Sequence, residues 1–83
     1  MNAAASFAPT GAMTMPKVGA LLAGVSPGDL ARIDLSGITQ VDSSALAVLV
    51  QWKRANPALS IEGAPEALRV LADLYDVGFL LDA

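Results

Sequence analysis

Cysteine and histidine are both missing from this chain of 83 residues. Their absence removes thiol chemistry, imidazole acid–base catalysis, disulfide frameworks and thiolate zinc sites together. Charged side chains are scarce, at 16%, and the 5 Lys and Arg against 8 Asp and Glu leave a net charge of −3. The cations are scattered, whereas a nucleic-acid footprint needs them clustered to displace counterions from phosphates, so no nucleic acid is expected as a partner. Long apolar runs are lacking too. The longest, 18–25 with glycine admitted and 45–50, fall short of the ~18–20 residues that span a bilayer, and no direct membrane insertion is expected. Nor is a secretory leader expected, since no positive charge precedes Lys17 and the apolar stretch runs into Ser26-Pro27-Gly28.

What is present is apolar: hydrophobic residues make up 54%, too many for a disordered chain and more than a small core needs. Part of that surface is expected to meet a partner, either another protein or a second copy. A chain this short buries about 60–65% of its unfolded surface and has no room for separate catalytic and substrate lobes. One domain over residues 1–83 is expected.

Residues 1–11, rich in Ala with Pro9 and Gly11, show no apolar period and are expected to fray or add a short strand. Ala12–Met15 reads as a strand stopped by Pro16, and Lys17–Gly24 as a short helix. After the turn signal Ser26-Pro27-Gly28-Asp29, the alternation in Ala31–Leu35 predicts the central strand, with Ile33 and Leu35 on one face. Ser36-Gly37 ends it, and Ile38–Val41 leads to Asp42-Ser43-Ser44. A helix is predicted over Ser43–Ala55, capped by Asp42 or Ser43, with Lys53 and Arg54 at its negative end and Asn56-Pro57 as its stop. Ala58–Glu62 reads as a strand with Leu59 and Ile61 inward. Pro65 suits the first turn of a last helix whose inward positions are Leu68, Leu71, Ala72 and Tyr75, with Gly78 as the breaker. Phe79-Leu80-Leu81 is expected to pack back on the core. Alternating strands and helices make this an α/β domain, with a mixed sheet covered by helices.

One helix carries the candidate site. Leu46, Leu49, Val50 and Lys53 share one face, while Ser44, Ala47, Val48, Gln51 and Trp52 form another, so the helix is apolar most of the way round. Its outer side, including Val48 and Trp52, is expected to be covered by another polypeptide, Trp52 being the kind of residue that anchors interfaces. Burial of Trp52 against the last helix is the plainer alternative. At the helix start, capping explains Asp42 and Ser43 without any chemistry. A phosphate on a hydroxyl there would sit well against the helix dipole yet repel an acidic partner, which would make a switch. Asp34 and Asp42 lack metal-ligand companions, no glycine-rich phosphate loop follows a strand, and neither catalysis, a metal nor a cofactor is expected.

The segments I-D-L-S-G-I at 33–38 and V-D-S-S-A-L-A-V-L-V at 41–50 resemble the STAS domain family. That family includes the bacterial anti-sigma factor antagonists and MlaB, the small cytoplasmic subunit of an ABC-type phospholipid-transport complex. A weaker similarity covers I-E-G-A-P-E-A-L-R-V-L-A-D-L-Y-D-V at 61–77, whose L-x-x-L-Y ending looks more like MlaB than like the sigma-regulating branch. The resemblance implies a STAS-like domain with a shortened N-terminal portion, since the family usually opens with two strands before its first helix; Ala45 stands where many members carry Gly. It also implies a non-enzymatic subunit that stabilises or activates an ABC-type ATPase, with a permease in the same complex, in the cytoplasm and peripheral to the inner membrane. In MlaB-like proteins the contact hydroxyl maps to Ser43. The alternative it implies is an anti-sigma factor antagonist, whose phosphorylated hydroxyl maps to Ser44. The expected partner-binding set is Asp42, Ser43, Ser44, Ala47, Val48, Gln51 and Trp52.

Overall fold

The computed structural model describes residues 5–81. Residues 1–4, part of the segment expected to fray, and residues 82 and 83 of the expected domain lie outside the described residues. The elements in chain order are β1 (Ser6–Phe7), β2 (Gly11–Met13), α1 (Met15–Leu21), β3 (Arg32–Asp34), β4 (Ile38–Val41), α2 (Ser43–Ala55), β5 (Ser60–Glu62) and α3 (Glu66–Leu74). Single 3-10 turns occur at Pro27–Asp29 and Gly78–Leu80.

The architecture is α/β, as the alternation implies. β3 is the central strand of the order β1-β3-β5, and β2 pairs with β4. Every described pairing is parallel, so the expected single mixed sheet is corrected to two small parallel sheets. Parallel neighbours cannot be joined by a tight hairpin and need a crossover. The connection from β2 to β4 contains α1, and the one from β3 to β5 contains α2. The register sets Ile33 beside Ile61 and Phe7 beside Ile33. Ile33, Leu35, Leu59 and Ile61 are sealed in the core with Met13, Leu49 and Leu68.

At the start of the described chain the strand alternative applies rather than fraying. The Ala31 N–H donates to the Ala5 carbonyl at 2.8 Å beyond the β1–β3 pairing, and Pro9 is buried. β2 ends at Met13, three residues before Pro16. The reason is local: the Met15 N–H goes to the Asp42 carboxylate at 2.9 Å instead of to a ladder, and Pro16 falls in the first turn of α1, where a missing N–H does no harm. α1 therefore starts earlier than expected and stops at Leu21.

β4 is a strand that periodicity does not reveal. Its register against β2 jumps from Gly11↔Ile38 to Ala12↔Gln40, leaving Thr39 as an extra residue in a bulge. Thr39 and Gln40 are consecutive exposed positions, which breaks the two-residue alternation. The Thr39 hydroxyl closes the bulge by donating to the Gly11 carbonyl at 3.2 Å.

α2 has the bounds its caps imply and lies against α1, α3 and the Pro27–Asp29 turn. Asn56 does more than stop it. Its Nδ2 donates to the carbonyls of Pro27 at 3.0 Å and Leu30 at 2.7 Å, and its Oδ1 accepts from the Ala58 N–H at 3.2 Å. One side chain thus fastens the end of α2 to the loop before β3. Lys53, placed by the sequence at the negative end of the dipole, donates its ammonium to the Leu59 carbonyl.

At the C-terminal end four expectations are corrected. Pro65 precedes the first helical position, as the N-cap of α3. α3 ends at Leu74, and the break is made by Asp76 with φ 60 rather than by Gly78. The Val77 N–H returns to the Ala72 carbonyl at 2.8 Å and the Asp76 N–H to that of Asp73 at 3.1 Å, the pair of bonds of a Schellman motif. Because the helix stops there, Tyr75 is exposed instead of inward. Of the last apolar triplet, Leu80 is buried and Leu81 half-buried, but Phe79 points outward.

Candidate functional site

The site is built where two helices begin. Asp42 is extended, with φ −140 and ψ −170, and caps α2. Its Oδ1 accepts from the Ser44 N–H at 2.9 Å and from the Ser44 hydroxyl at 2.5 Å. Its Oδ2 accepts from the Met15 N–H at 2.9 Å. A single carboxylate therefore satisfies amides at the N-termini of both α1 and α2, groups that would otherwise lack partners.

This clip lowers the Asp42 pKa: the Ser44 hydroxyl contributes most, then the Met15 N–H, with partial desolvation opposing them and the Ser44 N–H adding to them. Asp34 is lowered in the same sense, chiefly by the Ser36 N–H and next by its hydroxyl. A carboxylate that titrates lower when folded contributes its full stabilisation above the ordinary value near 3.8 and loses it as pH falls through the lower folded value. We expect Asp42→Asn to unfold at lower urea than the parent at neutral pH, with the gap closing towards about pH 3. A gap that stayed constant across that range would show that the charge of Asp42 plays no part.

The seven expected contact residues do not share one face. Ser43, Ala47 and Gln51 are exposed and lie at four-residue spacing along one outward stripe. The Ser43 hydroxyl makes no hydrogen bond among the described residues. Ser44 is half-buried with its hydroxyl committed to Asp42. Val48 is half-buried against the core, and Trp52 is only 9% exposed within it. The expectation of a large apolar outward face on α2 is thereby corrected. Four buried positions, Ala45, Leu46, Leu49 and Trp52, share one side of the helix, where α1, α3 and the Pro27–Asp29 turn lean on it.

Met15 was not legible as part of this site. It is 73% exposed and is tied to the start of α2 through Asp42, 27 positions along the chain. No local sequence signal announces such a bond. Among the described residues no three His, Cys, Asp or Glu side chains converge as a metal site would require, and no helix is long and apolar enough to cross a membrane.

The family model described as "Mlab, STAS domain" matches residues 10–82. The chain belongs to the STAS domain family. No curated protein and no solved structure matches it. The STAS match takes in every element from β2 through the Gly78–Leu80 turn and leaves out β1. Among the described residues two strands precede the first helix, of 2 and 3 residues. STAS domains are generally regulatory and non-catalytic.

Proposed function

We propose that this STAS domain is a non-enzymatic subunit that binds the ATPase of an ABC-type phospholipid-transport complex and stabilises or activates it. The observation that carries this reading is the start of α2, where an unengaged Ser43 hydroxyl, Ala47 and Gln51 form an outward stripe, short at Ser43 and Ala47, whose cap Asp42 also holds the backbone of exposed Met15. Short side chains let a partner helix approach closely, and Met15 supplies an adaptable apolar contact. The MlaB description of the matching family supports the same choice of partner. Asp42 and Ser44 set the stripe's geometry, and Val48 and Trp52 back it from the core. The subunit works in the cytoplasm and reaches the inner membrane only through the permease of its complex.

The alternative, an anti-sigma factor antagonist phosphorylated at Ser44, is less well supported. That hydroxyl is occupied by Asp42 at 2.5 Å, and a phosphate there would set like charges side by side. The test is affinity purification of the chain from its own cells, with identification of any ABC-type ATPase that co-purifies. Ala47→Arg and Ser43→Glu should each weaken the complex at least about tenfold while leaving the melting temperature unchanged. Recovery of no ATPase, or wild-type affinity in both variants, would refute the proposal. A phosphate found on Ser44 after incubation with an anti-sigma kinase would favour the alternative.

A further inference from the structure

Five large hydrophobic residues stand exposed among the described residues, and four of them fall within residues 70–79: Val70 at 50%, Leu74 at 74%, Tyr75 at 59% and Phe79 at 78%. Val70 and Leu74 are one turn apart on the outer side of α3, and Phe79 crowns the turn that follows. With a large apolar residue presenting on the order of 150–250 Å² when whole, these four fractions expose roughly 400–650 Å². That matches the largest patch a monomer usually shows, ~300–600 Å². It also matches the apolar share, about 56–65%, of the ~800 Å² each partner contributes to a stable interface.

Beside this ridge lies a groove of about 280 Å³ lined by Val50, Lys53, Arg54, Val77, Phe79 and Leu80. The charges on the two features are opposite. Asp73 and Asp76 flank Leu74 and Tyr75 on the ridge, Arg54 edges the groove, and none of these three has an ion-pair partner among the described residues. The groove therefore suits an apolar side chain with a carboxylate next to it, which is what the ridge offers.

We propose that a second copy of this chain covers this face, forming a two-fold dimer in which the α3 ridge of each protomer enters the groove of its partner. Val77 and Phe79 line the groove and directly follow Asp73–Asp76, so ridge and groove are neighbours on one surface, as a self-complementary two-fold contact requires. The net charge of −3 per chain opposes association weakly, since charges more than about 8 Å apart are screened at physiological salt. With an area at the lower end of stable interfaces, the dimer dissociates on the order of micromolar concentrations. This inference does not need the ATPase; it meets the α2 stripe only at Arg54, one turn beyond Gln51.

Sedimentation and light scattering of the full chain test it across a concentration series. The mass should rise from 8.5 kDa towards twice that value. Phe79→Ser and Leu74→Ser, both at exposed positions and checked for folding by circular dichroism, should weaken association at least about tenfold. Arg54→Glu should also weaken it, and more so at low salt. A mass fixed at 8.5 kDa throughout, or dimers indifferent to all three substitutions, would overturn the proposal. Loss of ATPase binding by Phe79→Ser in a chain that stays monomeric would assign the face to that partner and overturn the dimer as well.

Discussion

Trp52→Ala will remove a large part of this domain's stability rather than merely weaken a contact. Trp52 is 9% exposed in a core shared with Leu49, Leu68 and Leu80, and truncating a buried Trp costs about 3–5 kcal/mol. At ~0.05–0.15 kcal/mol per residue, 83 residues carry a total of about 4–12 kcal/mol. The loss is thus a large fraction of the whole, with an expected fall in melting temperature on the order of 10–40 °C. Far-UV circular dichroism during heating and urea titration measures it, and the emission of this single Trp reports burial in the parent. A change under about 1 kcal/mol would mean that the ring is not part of the core. The consequence for function is practical. Loss of partner binding in Trp52→Ala cannot locate an interface, because an unfolded chain loses every interface; Ala47→Arg and Ser43→Glu, on the outward stripe, can.

The misplacement of Trp52 on an outer face shows which part of the molecule was legible in the sequence. The bounds of α2, the alternation in β3 and the inward pair Leu59 and Ile61 follow from signals within a few residues of one another: a cap, a stop, a period. The STAS segments at 33–38 and 41–50 are local in the same way. Helix periodicity sets Trp52 three residues after Leu49 and seven after Ala45, on their side of the helix, but it does not say how many neighbours enclose that side. α2 is leaned on by α1, α3 and the Pro27–Asp29 turn, and that number is a property of the assembled fold.

Other misses have the same origin. β4 escaped because a bulge at Thr39 doubles its exposed positions. Glycine is the usual left-handed residue, so the sequence points to Gly78 as the end of α3, whereas Asp76 takes that conformation here and turns Tyr75 out of the core. The candidate site was half legible. Asp42 as a cap could be read from residues 42–44, but its second bond, to Met15, spans the chain. The outcome is a site in which three of the seven expected residues face outward, two brace the helix starts, and two stand behind.

The other large effect belongs to Gly63, at the crossing of β5 with the turn after β3. Its φ is +70, and a Cβ there would stand 2.5 Å from Asp34 Oδ1, 3.1 Å from the Ser36 nitrogen and 3.2 Å from the Ser36 Cβ. Those atoms are already bonded to each other, the Ser36 N–H donating to Asp34 Oδ1 at 3.0 Å, so neither can retreat without breaking the turn that leads into β4. Left-handed backbone costs an L side chain about 1–2 kcal/mol, and forced overpacking adds about 1–3 kcal/mol. Gly63→Ala should therefore lose about 2–5 kcal/mol in urea unfolding. Gly24 supplies the control: its φ is +79, yet a Cβ there meets nothing within 4 Å. Gly24→Ala should lose only the backbone part, about 1–2 kcal/mol, and the difference between the two variants isolates the collision with the Asp34–Ser36 turn. Equal losses would show that the turn gives way freely, and that the STAS segment at 33–38 is not braced by the strand-to-helix loop that crosses it.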